Sequence, residues 1–340
     1  MVTPRERSSS SLISAWDRMD KESSGKQDTF PSSDIETNRF VAQEIVMPRP
    51  RTKWTERCVE VTLVVAASTS IILVGLIFLF LFREAAPFVQ HPGLSSLMGD
   101  RWIPVSFQKE QFGIYPLVTG SILVTAIATV VAVPFGVIGA VYLSEVARPA
   151  ETETLKPFIE LLAGIPSVVI GFFGLVVLAP FVKAAFGLET GLNAFTGGLL
   201  LGLMAIPTIM SVSEDALRSV PASYKQASLA LGGNQIQTIW RITVPAALPG
   251  IVAAVMLGMG RVIGETMAVM MVTGNAAQTT FKPFESVRTM TATIAAEMGE
   301  VPFGSDHYRA LFWVGIILLV ATFLLNIVAQ RVLKRYSVRQ

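Results

Sequence analysis

The feature that most constrains this chain is a series of apolar runs, each about as long as a bilayer crossing. The first, Val61–Phe82, would extend about 33 Å as a helix rising about 1.5 Å per residue, enough for a hydrocarbon core about 30 Å thick. Five more follow, over residues 115–143, 157–182, 193–212, 249–272 and 310–328. A segment in lipid must satisfy its own backbone groups, which leaves helices or a closed barrel. None of the runs shows the strict alternation of a barrel strand. The predicted fold is therefore all-α, a polytopic membrane protein with six transmembrane helices.

Composition agrees. Apolar residues make up 51% of the 340 positions and charged residues only 15%, against about 25% charged in an ordinary globular chain. That excludes a water-soluble globule. The net charge of +2 does not suggest a nucleic-acid partner. Cys58, the single cysteine, excludes an intramolecular disulfide and a cysteine-ligated metal cluster, and no redox role is expected of it.

Residues 1–55 read as a flexible cytoplasmic tail, and residues 56–335 as the membrane domain. The tail is rich in Ser and charge, including Ser8-Ser9-Ser10-Ser11, and buries too little to offset its chain entropy. It is either a variable extension or a short regulatory or partner-binding segment. The first apolar run sits too far along the chain to resemble a cleaved signal. Six spans put both termini on one side. Near the spans that side carries 13 Lys and Arg against seven on the other, so both termini are expected in the cytoplasm.

Several runs carry residues that disturb a simple helix. Pro134 predicts a kink or local break in the second. In the third, Gly164-Ile165-Pro166-Ser167 predicts irregular backbone that only buried protein surroundings tolerate. Gly197, Gly198 and Gly202 of the fourth permit close helix approach.

The fifth run holds the most costly residues, in Gly260-Arg261-Val262-Ile263-Gly264-Glu265-Thr266. Arg261 is about 18 Å from Pro249 along a helix axis, near mid-span. Four residues apart, Arg261 and Glu265 are expected on one helix face. A charge at that depth faces protein or a water-filled path. Two readings stand: a static ion pair that fixes packing, or a polar translocation pathway in which Arg261 attracts an anion and Glu265 moderates that attraction. Thr266 and Ser167 are further candidates for the pathway.

Between the fourth and fifth runs, residues 216–245 predict an elbow of two short helices. Tyr224, Ala227, Ser228 and Leu231 recur on one helical face. Gly232-Gly233 signals a turn, Asn234 can cap the second helix, and Ile236, Ile239 and Trp240 would form its apolar stripe. Such a segment either packs on its own bundle or docks a soluble partner and transmits its motion. It is too short and too weakly charged to read as a DNA-binding element. No phosphate-loop motif occurs, so any ATP hydrolysis would come from another chain. His91 and His307 are expected on external loops, and no catalytic or metal-ligating constellation is evident.

The elbow resembles the permease signature of bacterial ABC importers. Gln226-Ala227-Ser228 occupies its opening, Gly232 its glycine, and Ile242-Thr243-Val244-Pro245 its ending. Gln226, Ser228 and Val244 replace the usual acid, alanine and leucine. More broadly the chain is similar to the phosphate-specific ABC transporter permeases of the C type, over nearly all of residues 55–335. The stretches concerned are Trp102-Ile103-Pro104, Phe112-Gly113-Ile114-Tyr115-Pro116, Leu161–Ser167, Gly260–Val269 and Gly274-Asn275.

The resemblance implies a permease of an ATP-driven phosphate importer in the inner membrane, paired with a second phosphate permease, of the A type. Two ATP-binding subunits would carry the ATP and magnesium, this chain binding no cofactor. A periplasmic phosphate-binding protein would deliver the ion. It further implies that Arg261 and Glu265 act in transport, and that Tyr224, Gln226, Ala227, Ser228, Leu231 and Gly232 couple to the ATPase. An importer of sulfate or molybdate, a secondary carrier or channel, and a structural membrane subunit are the alternatives.

Overall fold

The computed structural model describes residues 53–106 and 110–336, so the tail up to residue 52 lies outside the described residues. Two compact units divide between Leu73 and Val74. In the first, residues 53–73 are helical throughout, as the opening part of α1 (Lys53–Ala85). Their apolar side chains, among them Val61, Leu63, Ile71 and Ile72, are exposed, as suits a helix solvated by lipid.

In the second unit the end of α1 is anchored by Trp313, whose indole N–H donates to the Ala85 carbonyl at 2.9 Å. The turn-rich stretch that follows holds a two-residue antiparallel ribbon, β1 (Trp102–Ile103) against β2 (Gln111–Phe112). Phe88, Leu97, Trp102, Phe112, Leu117 and Leu311 gather there into one apolar cluster.

α2 (Tyr115–Val141) continues through Pro134, so the expected local break does not occur. Ala132 and Gly136, on either side of the proline, are both buried, and Gly136 lies against Ile209. Packing on α6 (Ala194–Arg218) thus holds both flanking turns in place despite the missing amide donor. The two helices meet along glycines. A Cβ at Gly198 would lie 2.6 Å from the Ile127 Cβ, and one at Gly202 would lie 2.9 Å from the Val131 Cβ. In lipid, where burial of apolar surface drives helix association weakly, such close packing is what joins helices.

The third apolar run is divided. α3 (Pro149–Gly164) ends where Ile165 turns extended (φ −65°, ψ 131°), the conformation favoured by a residue that precedes proline. The spanning helix begins only at Ser167, with α4 (Ser167–Phe173), a π-helical turn at Gly174–Leu178 and α5 (Ala179–Phe186). The expected span 157–182 therefore runs from the second half of α3 across the break into α4, the π-helical turn and the start of α5. The elbow comprises α7 (Ala222–Ala230) and α8 (Gln235–Thr238). A π-helical turn at Ile239–Thr243 leads into α9 (Val244–Gly264), followed by α10 (Met267–Val272), α11 (Met290–Glu297) and α12 (Asp306–Tyr336).

Among the described residues, six helical stretches are long and apolar enough to cross a membrane: Glu56–Val89, Tyr115–Val146, Ser167–Phe186, Ala194–Arg218, Gln235–Gly264 and Asp306–Arg331. This is an all-α polytopic membrane fold. Its central core joins α2, α6, α9 and α10 through Val124, Leu200, Leu201, Ile209, Val262 and Val272.

Candidate functional site

The fifth apolar run does not continue as one helix past Gly264. Glu265 is extended (φ −70°, ψ 133°) and ends α9, so the expectation of Arg261 and Glu265 on one helical face is corrected. No ion pair joins them among the described residues. The break forms because other elements take up the backbone groups it frees. Thr291 of α11 donates its hydroxyl to the Glu265 carbonyl at 2.9 Å, and Thr266 donates to the Gly264 carbonyl at 3.2 Å. The Glu265 carboxylate turns forward and accepts from the Ala268 amide at 3.3 Å. Glu265 and Thr266 therefore build the break.

Arg261 points elsewhere. Nη1 donates to Thr208 Oγ1 of α6 at 3.1 Å, and Nη2 donates to the Ala163 carbonyl at 3.2 Å. Ala163 lies in the last turn of α3, where helix termination leaves carbonyls without intrahelical donors. The guanidinium thus joins the end of α9 to the break in the third run, after which Ser167 opens α4. Two of its five N–H groups are engaged, and the side chain is half-buried. It also borders a cavity of about 620 Å³ lined by Thr208, Met256, Gly260, Asn326 and Gln330. A fixed cation at the edge of a cavity among spanning helices can attract an anion and orient its oxygens.

Sequence reasoning missed Thr208, Asn326 and Gln330. A signal was present: two amides four residues apart near the end of an otherwise apolar run, where a polar group needs a polar neighbour.

The elbow takes its form from local chemistry. Gly232 has φ +84°, the left-handed region in which a Cβ is strained. Around it the Gly233 amide bonds back to the Ser228 carbonyl and the Gly232 amide to the Leu229 carbonyl, both at 3.0 Å, the paired bonds of a glycine-terminated helix. Asn234 then caps α8, accepting from the Gln237 amide at 2.8 Å while its own amide donates to Gln237 Oε1 at 3.0 Å.

Glu145, at the end of the second span, anchors both short helices. Its carboxylate meets Lys225 Nζ at 2.6 Å, and its carbonyl accepts from Gln235 Nε2 at 3.1 Å. Tyr224, Gln226, Ala227, Leu231 and Gly232 are exposed, Leu231 by 91%. Ser228 departs from the expected shared face, being half-buried and hydrogen-bonded to Thr238 at 2.8 Å. The expected stripe on α8 also divides, since Ile239 is buried while Ile236 and Trp240 are exposed. Exposed Tyr224, Leu229, Leu231 and Ile236 leave the elbow an apolar outer surface of the kind that marks interaction sites.

Nearby, Glu214 of α6 is 1% exposed, with Arg218 Nε at 2.8 Å and Lys156 Nζ of α3 at 3.3 Å. At the opposite end of the bundle Glu297 gathers Arg288 at 2.6 Å, the Trp102 indole N–H at 3.0 Å and His307 at 2.8 Å. His307 is 12% exposed, which corrects its expected surface placement. Of the two histidines only His91, at 87%, is exposed, with Nδ1 3.6 Å from Asp306 Oδ2. On the same side, hydrogen bonds from Thr280 and Lys282 hold the Glu285 carboxyl below the usual carboxylate range. Among the described residues, no cluster of His, Cys, Asp and Glu could hold a metal ion.

Residues 132–338 match the model of a family described as binding-protein-dependent transport system inner membrane component. The chain is 41% identical to a probable ABC transporter permease protein, YqgH, of Bacillus subtilis, over 66% of this chain and 72% of that one. It is 32% identical to the phosphate transport system permease protein PstC of Mesorhizobium japonicum, over 84% of this chain and 92% of that protein. Among solved structures, the fold is similar to a chain of a bacterial alginate ABC transporter (TM-score 0.59, 16% identity, 84% of this chain and 98% of that one). It is also similar to a chain of the inward-facing MetNI methionine ABC transporter (TM-score 0.51, 22% identity, 66% and 98%).

Proposed function

Since the chain belongs to the family of binding-protein-dependent transport system inner membrane components, we propose that the solute it translocates is inorganic phosphate, carried inward on ATP hydrolysed by partner subunits. The chain itself is a transport subunit of the membrane rather than an enzyme. The observation that carries the proposal is Arg261, held by Thr208 and Ala163 at the edge of a cavity among the spanning helices. Three N–H groups of its guanidinium are left to face an anion. The phosphate-transport name of a relative matched over 84% of this chain supports phosphate as the cargo.

In this reading the chain sits in the inner membrane with both termini in the cytoplasm. It pairs with the related phosphate permease of the A type. Two ATP-binding subunits, holding ATP and magnesium, dock below the pair, one of them on the exposed face around Tyr224, Gln226, Ala227, Leu231 and Gly232. Ser228 supports that face from within through Thr238. A phosphate-binding protein delivers the ion at the opposite end. Glu265 and Thr266 keep the fifth run broken beside Arg261, and Ser167 opens the corresponding helix of the third. Because ATP-driven motion and access to the pathway are coupled in both directions, moving the elbow shifts which side Arg261 faces.

The test is binding-protein-dependent uptake by the complex reconstituted in vesicles. Radiolabelled phosphate should accumulate only with ATP and the ATP-binding subunits, and excess sulfate or molybdate should not compete. Arg261→Gln should reduce uptake about a hundredfold, the loss of a charge-assisted fork at a developing anion contact, with assembly intact. Wild-type uptake by an assembled Arg261→Gln complex would refute the role of Arg261. Preferred transport of sulfate or molybdate would refute the cargo, and transport without ATPase partners would indicate a secondary carrier.

A further inference from the structure

Asn326 and Gln330 stand out on the last spanning helix. They are four residues apart on α12, one turn along the same side, and both border the cavity that Arg261 and Thr208 line. Neither side chain has a hydrogen-bond partner among the described residues. A primary amide in a membrane helix is costly unless protein or a water-filled path receives it, and here both amides are exposed residues that line the open cavity.

The cavity also has a direction. Arg261 lies in the last turn of α9, about 25 Å along from Val244 by helical rise, whereas Ala253 on the same wall is about 13 Å along. It therefore extends from Arg261 back toward the elbow end. Asn326 and Gln330 occupy the last part of the Asp306–Arg331 span, at that same end.

The geometry points to Asn326 and Gln330 as an oxyanion subsite on the elbow side of Arg261, selective for a protonated oxyanion. This deepens the reading of Arg261 as the anion-facing cation and rests on it. An amide offers both N–H donors and a carbonyl acceptor. At neutral pH phosphate carries a P–OH that the carbonyl can accept, while its other oxygens take the N–H donors. Sulfate has no such proton, so an amide carbonyl would face only its lone pairs. Among the described residues that line the cavity, Arg261 alone is charged, so a neutral subsite beyond it also lets the ion leave. The two amides thereby act as specificity-determining residues of transport.

The test uses the full chain assembled with its partner subunits in lipid vesicles. Asn326→Leu with Gln330→Leu keeps the helix apolar, and assembly is read separately by co-purification. Initial phosphate uptake should fall about tenfold, the combined effect of two lost hydrogen bonds. In a second measurement, Asn326→Cys in a Cys58→Ser background is labelled with an anionic thiol reagent. Inorganic phosphate should slow labelling at least threefold, and equimolar sulfate should not.

Wild-type uptake by the double variant, or labelling indifferent to phosphate, would overturn the proposal. Protection by a short-chain phosphatidylglycerol and not by inorganic phosphate would overturn it too, assigning the cavity to a lipid headgroup. Arg261→Gln separates the two readings. If it abolishes uptake while the double variant transports normally, only the amide subsite fails. If Arg261→Gln itself transports normally, the parent reading fails.

Discussion

Arg261 Nη2 donates to the carbonyl oxygen of Ala163 across 3.2 Å, so the last turn of one interrupted membrane helix is bonded to the last turn of another helix at its own break. Each residue supplies what the other lacks. The end of α3 frees a carbonyl, and the guanidinium needs acceptors in surroundings that offer few. The second acceptor, Thr208 Oγ1 at 3.1 Å, fixes the plane of the fork against α6.

A lysine at this position would keep the charge but not the fork, because its ammonium is a single point of contact. Arg261→Lys is expected to retain measurable phosphate uptake, reduced about tenfold by the loss of one hydrogen bond and of planar orientation. Comparing initial rates for Arg261→Lys and Arg261→Gln checks this. Equal rates in the two variants would show that charge at this point contributes nothing.

Gly232 is required by its backbone, not by space, since an added Cβ would meet nothing within 4 Å. Gly232→Ala should cost about 1 kcal/mol of strain at the left-handed turn. Binding-protein-stimulated ATPase should fall several-fold in the assembled complex. Gly232→Asn, which tolerates this conformation better, should recover part of it. Identical ATPase in all three proteins would reject a role for this turn in coupling.

Lys225 and Glu145 meet at 2.6 Å, with exposures of 29% and 9%. Lys225→Met removes the cation and leaves a mostly buried carboxylate without it, at a cost of about 1–2 kcal/mol. Hydrogen exchange of residues 222–238 should then quicken, while the spanning helices exchange as before. Unchanged exchange in the elbow would mean that its own caps suffice to hold it.

At Gly202 there is no room for a side chain, whereas at Gly75 nothing lies within 4 Å of an added Cβ. Gly202→Leu should lower the stability of the purified protein by about 1–3 kcal/mol through overpacking, read as a fall in melting temperature. Gly75→Leu is the matched control and should melt like the wild type. Equal melting temperatures would contradict the close approach of α2 and α6.

The elbow shows how far local chemistry was legible. A glycine pair followed by Asn234 implies a turn and a helix cap whatever surrounds them, and both are present. Its packing was not legible. The direction of Ser228 toward Thr238, and the burial of Ile239 beside exposed Ile236 and Trp240, depend on where α2 and α6 end. His307 was misplaced for the same reason. A short polar stretch reads as surface, and nothing local reveals the Glu297 carboxylate 2.8 Å away.

By itself the sequence determined that this protein crosses a membrane with helices, because length and apolar content add up along a run regardless of what lies beside it. It also located the expensive residues, Arg261 and Glu265. What they do together was decided by the tertiary structure. Their spacing of four residues implies a shared face only if the helix continues, and it continues only if nothing else satisfies the backbone groups that a break would free. Thr291 accommodates the break after α9, and Arg261 completes the end of α3. Glu265 is therefore committed to the break and Arg261 to the cavity, an arrangement that depends on partners distant in sequence.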